Sequence, residues 1–253
     1  MYKRQEEKRR IRSSTIHAII FEQKHPRNDT GMFQIFERIN TGGRTLKAQE
    51  IRNCVYQGKC NDLLFELNKH DSWRKILGLN VEDSRMADLE LILRYFAMRD
   101  LHIRNEGQLK QINLAKYLNK YMGDKTNSTG EDILDMKQDF ITMIDKVFEL
   151  LGKNAFKNLK KESENFASKI NPAIFDAISV ATSYAIKTEY KFTEGNYLEK
   201  YKRLLKNEEF HRASSSRTTN IENIKTRIQI AAEFLYGVCL LYTSDAADDL
   251  IGV

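Results

Sequence analysis

From Lys47 onward, apolar residues recur every three or four positions, a spacing that places them on one face of an α-helix. The chain contains only two prolines, Pro26 and Pro172, so little interrupts helices along this stretch. Residues 86–98 are apolar around most of the helical circumference, which predicts a central buried helix. The pattern therefore predicts a mainly α protein with a multi-helix body.

Glycine, asparagine and proline mark several predicted helix ends. Gly152 and Gly237 are placed to end helices, because glycine readily adopts the left-handed conformation that closes a helix. Asn171-Pro172 is placed to begin one, since proline in the first turn removes no helical hydrogen bond. Between the helices, loops are predicted at residues 80–85, 124–131, 159–169 and 212–219.

Residues 11–21 carry a different pattern. Ile16, Ala18 and Ile20 alternate with their neighbours, as side chains do along a β-strand. We therefore expect one short N-terminal strand in front of the helical body. An unpaired strand exposes backbone hydrogen-bonding groups, so this strand is expected to need partner strands.

Composition narrows the class of protein. Hydrophobic residues make up 41% and charged residues 30% of the chain, as in folded globular proteins, and no apolar run is long enough to span a bilayer. Cys54, Cys60 and Cys239 have no CxxC spacing, so they indicate neither a disulfide framework nor a zinc site. Cys54 has apolar neighbours and is expected to be an inert core thiol. A reducing cytoplasm is the expected location.

The net charge of +6 is compatible with a nucleic-acid partner and equally with solvated, lysine-rich helix faces. Residues 241–249 show neither helical nor strand periodicity and resemble translated adapter read-through at the ends of metagenomic gene models. We therefore expect residues 238–253 to be a non-native tail, with an ordinary acidic tail as the alternative. Because this tail adds three aspartates and no basic residue, the rest of the chain carries +9 instead of +6.

The sharpest local feature is the segment from residue 36 to residue 53, which we call the glycine signature. It predicts a helix, a turn at Gly42 and Gly43, and a second helix over residues 47–56. Backbone N–H groups at such a turn favour anions, and Arg44 and Arg52 add charge suited to phosphate. The alternative is a turn with no ligand, which is what most Gly-Gly pairs form.

The glycine signature resembles that of the GmrSD-type restriction endonuclease N-terminal domain family, long classed as a domain of unknown function. The matching residues are Phe36, Arg38, Ile39, Asn40, Gly42, Gly43, Leu46, Glu50, Ile51, Arg52 and Asn53. Looser matches follow in order at residues 85–94, 117–122, 171–176 and 214–227.

The resemblance implies a ParB-like or sulfiredoxin-like α/β domain of which residues 1–58 are the C-terminal remnant, followed by a helical domain over residues 59–237. In that family an Asp-Gly-Gln-Gln-Arg motif handles a nucleoside triphosphate, and this chain lacks the motif. A divalent metal would accompany the nucleotide in the full protein, whereas this chain alone is expected to hold no cofactor and no metal.

No catalytic residue is predicted in this chain. The predicted nucleotide- or DNA-binding residues are Asn40, Thr41, Gly42, Gly43, Arg44, Glu50, Arg52 and Asn53. Further phosphate contacts are predicted at Arg217, Lys225 and Arg227, with a solvated loop as the alternative. The expected partners are DNA, the missing N-terminal segment, and a nuclease domain or subunit, with no membrane.

Three hypotheses follow. The first is a fragment of a prokaryotic nucleotide-dependent DNA restriction or defence protein, a component of an endonuclease that is inactive alone. The second is a non-catalytic helical module that binds nucleic acid or a partner. The third is a defence accessory subunit that acts only through protein contacts. Salt-dependent DNA binding separates the first two from the third.

Overall fold

The computed structural model describes residues 2–15, 31–39, 45–79, 81–104, 111–160, 163–193 and 195–239. Within these ranges the chain forms twelve α-helices and one two-stranded sheet, which confirms the mainly α prediction. The first seven helices are α1 (Tyr2–Ser13), α2 (Gly31–Ile39), α3 (Ala48–Val55), α4 (Lys59–Asn68), α5 (Asp71–Leu77), α6 (Ala87–Arg104) and α7 (Leu114–Lys125).

The second half of the chain begins with the longest helix. The elements in order are α8 (Gly130–Leu151), a 3-10 turn (Gly152–Asn154), β1 (Lys157–Leu159), β2 (Phe166–Ile170), α9 (Pro172–Lys187), α10 (Tyr197–Lys206), α11 (Glu208–Ser215) and α12 (Ile221–Tyr236). In the part of the chain that is described, no helix combines the length and the apolar character needed to cross a bilayer.

Helix α9 lies at the centre of the body. It packs against α12, α6 and α8, and apolar side chains such as Ile174 and Phe175 bury it on nearly all sides. Helix α6 is also a buried helix, with Ile92 and Tyr95 fully covered, as the apolar run over residues 86–98 predicts. Two helices without a polar face can be stable only inside a layer of other helices.

Aromatic rings fill the space between α5, α6, α8 and α9. The ring of Trp73 meets that of Phe140 edge-on at 6.2 Å between centroids and that of Phe175 at 5.7 Å. Tyr95 and Phe96 also contact the ring of Phe140, at 5.6 and 6.1 Å between centroids. Burial of large rings in such tilted and edge-on arrangements is the main stabilising contribution in this region.

The predicted helix ends are confirmed at three places. Gly152 and Gly237 close α8 and α12 with φ of 57° and 65°, in the region that glycine tolerates best. At the start of α9 the side chain of Asn171 accepts a hydrogen bond from the N–H of Ala173 at 2.9 Å. Pro172 then occupies the first turn of α9, where no hydrogen bond is lost.

The strand predicted for residues 11–21 is wrong at its start, because residues 11–13 are the last turn of α1. Residues 16–21 lie outside the described residues. Lysine, arginine, glutamate and glutamine dominate α1 and are good helix formers, and Glu6 and Arg10 form an ion pair of 3.7 Å one turn apart. Local helix propensity therefore governs this segment up to Ser13.

Two of the predicted loops contain regular structure. In the loop predicted at 159–169, residue 159 and residues 166–169 belong to an antiparallel pair of strands in which Lys157 lies opposite Ile170. The strands are too short for alternation to be detected, and α10 supports them through Tyr201, which donates a hydrogen bond to the carbonyl of Lys157 and stacks on Phe166. Within the loop predicted at 212–219, residues 212–215 continue α11, which the side chain of Asn207 caps.

Helix α3 lies on the N-terminal side of the predicted division at residue 58, and it packs against helices on the other side. Helix α3 lies against α6 and α7, and its buried residues are Gln49, Ile51 and Arg52. A helix of eight residues is not stable alone, so α3 depends on these neighbours for its conformation.

We predict that Phe140→Ala lowers the free energy of unfolding by about 3–5 kcal/mol, because it leaves a cavity beside the rings of Trp73, Tyr95 and Phe96. Leu134→Ala is the matched control on α8. The Leu134 side chain is 65% exposed, and its truncation is expected to change stability by less than about 0.5 kcal/mol. Urea unfolding followed by circular dichroism measures both, and equal losses in the two variants would contradict the assigned core.

Candidate functional site

The glycine signature is described only in part. Asn40, Thr41, Gly42, Gly43 and Arg44 lie outside the described residues. The remaining predicted site residues, Glu50, Arg52 and Asn53, lie on α3. The structure therefore shows how the second helix of the signature is held, while the conformation of the predicted turn stays a prediction.

Glu50 fixes the start of α3. Its carboxylate accepts a hydrogen bond of 2.6 Å from the backbone N–H of Lys47, which otherwise has no partner within the helix. The same carboxylate lies 3.2 Å from the guanidinium of Arg85, which also donates a hydrogen bond of 2.7 Å to the carbonyl of Thr45. Arg85 thus ties the backbone leading into α3 to the segment just before α6.

Arg52 is enclosed by the protein, with only 1% of its surface exposed. Its guanidinium donates to Asn119 at 2.8 Å, to Gln49 at 3.0 Å and to Glu90 at 2.9 Å. We call these four residues the Arg52 cluster. The ring of Phe33 lies 5.9 Å from the same guanidinium.

Burial makes the charge of Arg52 costly. Desolvation lowers the pKa of Arg52, and the neighbouring carboxylate of Glu90 opposes this effect in part. A phosphate could reach this guanidinium only if hydrogen bonds inside the body were broken first. The geometry therefore gives Arg52 a structural role and does not present it as a phosphate ligand at the surface.

Asn53 connects α3 to α4. Its side-chain oxygen accepts a hydrogen bond of 2.7 Å from the amide of Asn61, and both residues are largely covered. Together with Glu50 and Arg52, Asn53 ties the short α3 to three other parts of the body. The Glu-Ile-Arg-Asn end of the glycine signature is thus a set of anchors.

A second group of charges lies deeper, and we call Arg94, Asp176 and Arg227 the Asp176 cluster. Arg94 binds both oxygens of the Asp176 carboxylate, at 2.8 and 2.6 Å. Arg227 donates to one of the same oxygens at 2.9 Å and to the carbonyl of Thr218 at 2.7 Å. Asp176 and Arg227 are fully buried, so the cluster joins α6, α9 and α12 in the interior.

The pKa values of the two arginines in the Asp176 cluster are shifted in opposite directions. Burial disfavours the charge on Arg94, but its bidentate bond to Asp176 outweighs burial and raises its pKa. For Arg227, burial prevails over the attraction of Asp176, and the nearby charge of Arg94 adds to it, so its pKa is lowered. One carboxylate thus stabilises two cations, with backbone carbonyls as additional acceptors.

Helix α6 links the two clusters, because Glu90 and Arg94 are one turn apart on it. Glu90 also contributes to the raised pKa of Arg94. Every residue of the Arg52 cluster and of the Asp176 cluster falls within the glycine signature or within one of the four looser matches, at residues 85–94, 117–122, 171–176 and 214–227. The structure therefore brings together stretches that the resemblance links only by their order along the chain.

The three residues predicted to contact phosphate differ in the solvent exposure of their side chains. Arg217 is exposed and has a left-handed φ of 46°, and the side chain of Asn223 donates to its carbonyl at 3.2 Å. Lys225 is half-buried on α12. Arg227 is fully buried, and its guanidinium forms an ion pair with Asp176. The prediction that Arg227 contacts phosphate is therefore corrected.

For the described part of the chain, the nucleotide and the divalent metal that the resemblance implies stay predictions. No group of three or more histidine, cysteine, aspartate or glutamate side chains converges there as a metal site would require. A cavity of about 40 Å³ beside Asn158, His211 and Ser214 has room for a few water molecules, far less than a nucleotide needs. The Ser214 hydroxyl at this cavity has no hydrogen-bond partner among the described residues.

Comparisons of the chain with protein-family models, with curated proteins and with solved structures gave no match.

The sequence reasoning missed Glu90, Arg94, Asn119 and Asp176. A signal for two of them was available, because Arg94 lies in the apolar run 86–98 and Asp176 lies among the apolar residues of α9. A charged residue on a helix that is apolar all round has to be buried, and a buried charge requires a partner. Which charges pair cannot be deduced from spacing alone.

We predict that Asp176→Asn lowers the free energy of unfolding by about 3–5 kcal/mol, because two buried guanidiniums lose their counter-charge. Adding Arg227→Met should restore part of the loss, since it removes one unpaired cation. Asp145→Asn is the control, because the Asp145 pair with His70 is partly exposed and is expected to contribute at most about 1 kcal/mol. Equal effects of the two single variants in urea unfolding would contradict the Asp176 cluster.

The cysteines differ from the prediction. Cys54 is exposed, because the buried face of α3 carries Gln49 and Arg52 and Cys54 points the other way. Cys239 is also exposed, whereas Cys60 is buried, and burial raises the pKa of the Cys60 thiol to about 11 despite the charge of Lys125. The thiolate form required for reaction is therefore disfavoured at Cys60.

We predict that a chromogenic disulfide reagent at pH 8 labels two thiols rapidly and the third only after unfolding. Cys60→Ala should leave the rapid count at two, and Cys54→Ala should reduce it to one. Three rapidly reacting thiols in the native protein would be inconsistent with the burial of Cys60.

Proposed function

We propose that this chain is part of a cytoplasmic, prokaryotic, nucleotide-dependent DNA restriction or defence protein of the GmrSD type. Its contribution is a non-catalytic helical body that holds the glycine signature in place. The observation that carries the proposal is the anchoring of α3: Glu50, Arg52 and Asn53 each bind a different part of the body. Such anchoring fixes the start of α3, which directly follows the predicted turn.

A rigid support is what a phosphate-binding turn needs. Backbone N–H groups bind an anion well only when they are held in place beforehand, because ordering them on binding costs free energy. The Glu50 and Arg85 contacts hold Lys47 and Thr45, one to three residues beyond Arg44. This arrangement supports a role for Asn40 to Arg44 in contacting a nucleotide or DNA backbone, with Arg44 supplying charge.

We predict that the purified chain hydrolyses no nucleoside triphosphate and cuts no DNA in the presence of Mg²⁺, because it lacks the Asp-Gly-Gln-Gln-Arg motif and a converging acidic group in its described part. It should bind duplex DNA at low salt, with an affinity that falls steeply as salt is added. Arg44→Gln should weaken binding several-fold, whereas the exposed control Lys69→Gln should leave it nearly unchanged.

Turnover above a heat-inactivated control would overturn the non-catalytic assignment. Equal affinities of the Arg44→Gln and Lys69→Gln variants would show that the predicted turn does not contact DNA. No binding of the unmodified chain at low salt would overturn the proposal that it binds DNA.

A partner-binding module is the second candidate, favoured by an apolar surface on α2. Phe36 and Ile39 are three residues apart on this helix and are 39% and 52% exposed. Side chains at this spacing lie on one helical face, so they form a continuous apolar patch beside the predicted turn. Under this alternative, Phe36→Ser with Ile39→Ser would abolish binding of a partner protein without changing the affinity for DNA.

A further inference from the structure

Helix α1 carries the highest density of positive charge in the chain. Six of its twelve residues are lysine or arginine and two are glutamate. Two of the arginines, Arg10 and Arg12, lie in its last turn, where positive charge is favourable to the helix dipole. A charge of this density repels itself unless solvent ions or an anionic partner compensate for it.

The described side chains of α1 are exposed to solvent. Glu6 pairs with Arg10, and the hydroxyls of Ser13 and Ser14 bond to carbonyls in the last turn. Lys8, Arg9 and Arg12 form no ion pair with any described residue and are exposed. These three cations are therefore available for an external anion.

The three free cations lie on one side of the helix. At about 100° per residue, Lys8, Arg12 and Arg9 fall within a sector of roughly 100°, and Glu6 and Glu7 lie outside it. From Lys8 to Arg12 the helix advances about 6 Å, a length over which duplex DNA presents roughly three to four phosphate charges. The density of charge on this face is thus comparable with that of duplex DNA when both strands are counted.

We infer that α1 is a sequence-independent contact to the phosphate backbone of nucleic acid, made by Lys8, Arg9 and Arg12. The inference rests on the proposed function, and it assigns the contact to a second element besides the predicted turn. Phosphate contacts strengthen binding and orient the protein, and they do not select a base sequence. A polar helix of twelve residues is only marginally stable in water, so pairing with phosphate also stabilises the helix itself.

A lipid surface is a poorer match for α1. Helices that lie on membranes bury a broad apolar face, and α1 contains only two apolar residues, Tyr2 and Ile11. Without that face, attachment to a bilayer would depend on charge alone. Nucleic acid requires no apolar face, because counterion release from the phosphates drives the association.

The test uses the full chain and a fluorescent 30-base-pair duplex of arbitrary sequence, with anisotropy measured over a series of salt concentrations. The variant is Lys8→Gln with Arg9→Gln and Arg12→Gln. The matched control is Lys59→Gln with Lys116→Gln and Lys120→Gln, which removes the same charge from exposed positions on the helical body. Circular dichroism of both variants checks that α4 to α12 stay folded.

Each phosphate contact contributes about 0.9 to the slope of log affinity against log salt, so the α1 variant should lose close to three units of slope. At 0.1 M salt its affinity should fall roughly 100-fold, whereas the control should lose less than one unit of slope. Equal slopes for the two variants, with the unmodified chain still binding, would overturn the inference about α1 and leave DNA binding in place.

Two other results are also decisive. If the unmodified chain does not bind the duplex at low salt, the proposed function fails together with its α1 contact. If the α1 variant keeps its affinity for DNA but loses affinity for vesicles containing phosphatidylserine, α1 is a lipid contact and the inference is wrong.

Discussion

The carboxylate of Asp176 is the interaction on which the helical body depends. It lies in the N-terminal half of α9, fully buried, and pairs with Arg94 from α6 and with Arg227 from α12. A charge without a partner in such a place would cost several kcal/mol, which disfavours any arrangement of the three helices that separates these charges. Because Glu90 lies one turn from Arg94, the same network extends through α6 to Arg52 on α3. Apolar packing supplies most of the stability, and these charges fix the register of the helices.

This arrangement changes the meaning of the glycine signature. Arg52 forms its hydrogen bonds inside the protein, and Glu50 and Asn53 hold α3 in position. Under the proposed function, contacts with an anion therefore fall to residues other than Arg52, such as those on the exposed face of α1. Basic charge near the surface and basic charge in the interior have different roles here, although residue type alone does not distinguish them. The net charge alone overstates the positive charge that a partner could contact, because the side chains of Arg52, Arg94 and Arg227 are enclosed by the protein.

The helical class, the buried α6 and the ends of α8, α9 and α12 could be predicted, because each depends on local spacing or on a capping residue such as Asn171 or Gly237. The β1–β2 pair could not, since strands of three and five residues hold too few positions for alternation and depend on Tyr201 from a later helix. The role of Arg52 was equally hidden, because Asn119 lies 67 positions away along the chain. Pairing between distant residues is decided by packing, and a single sequence carries no record of it.

The distances along the chain within the Asp176 cluster also constrain how the protein is made. Arg94 precedes Asp176 by 82 positions, and Arg227 follows it by 51. During synthesis from the N-terminus, α6 therefore forms well before Asp176, the counter-charge of Arg94, has been made. Likewise, α9 forms before Arg227, the second cation of the cluster, has been made. Contacts of such long sequence separation form late in folding, because a long loop must close first. The body can complete its interior only when α12 has left the ribosome, and until then α6 and α9 expose apolar surface that chaperones would recognise.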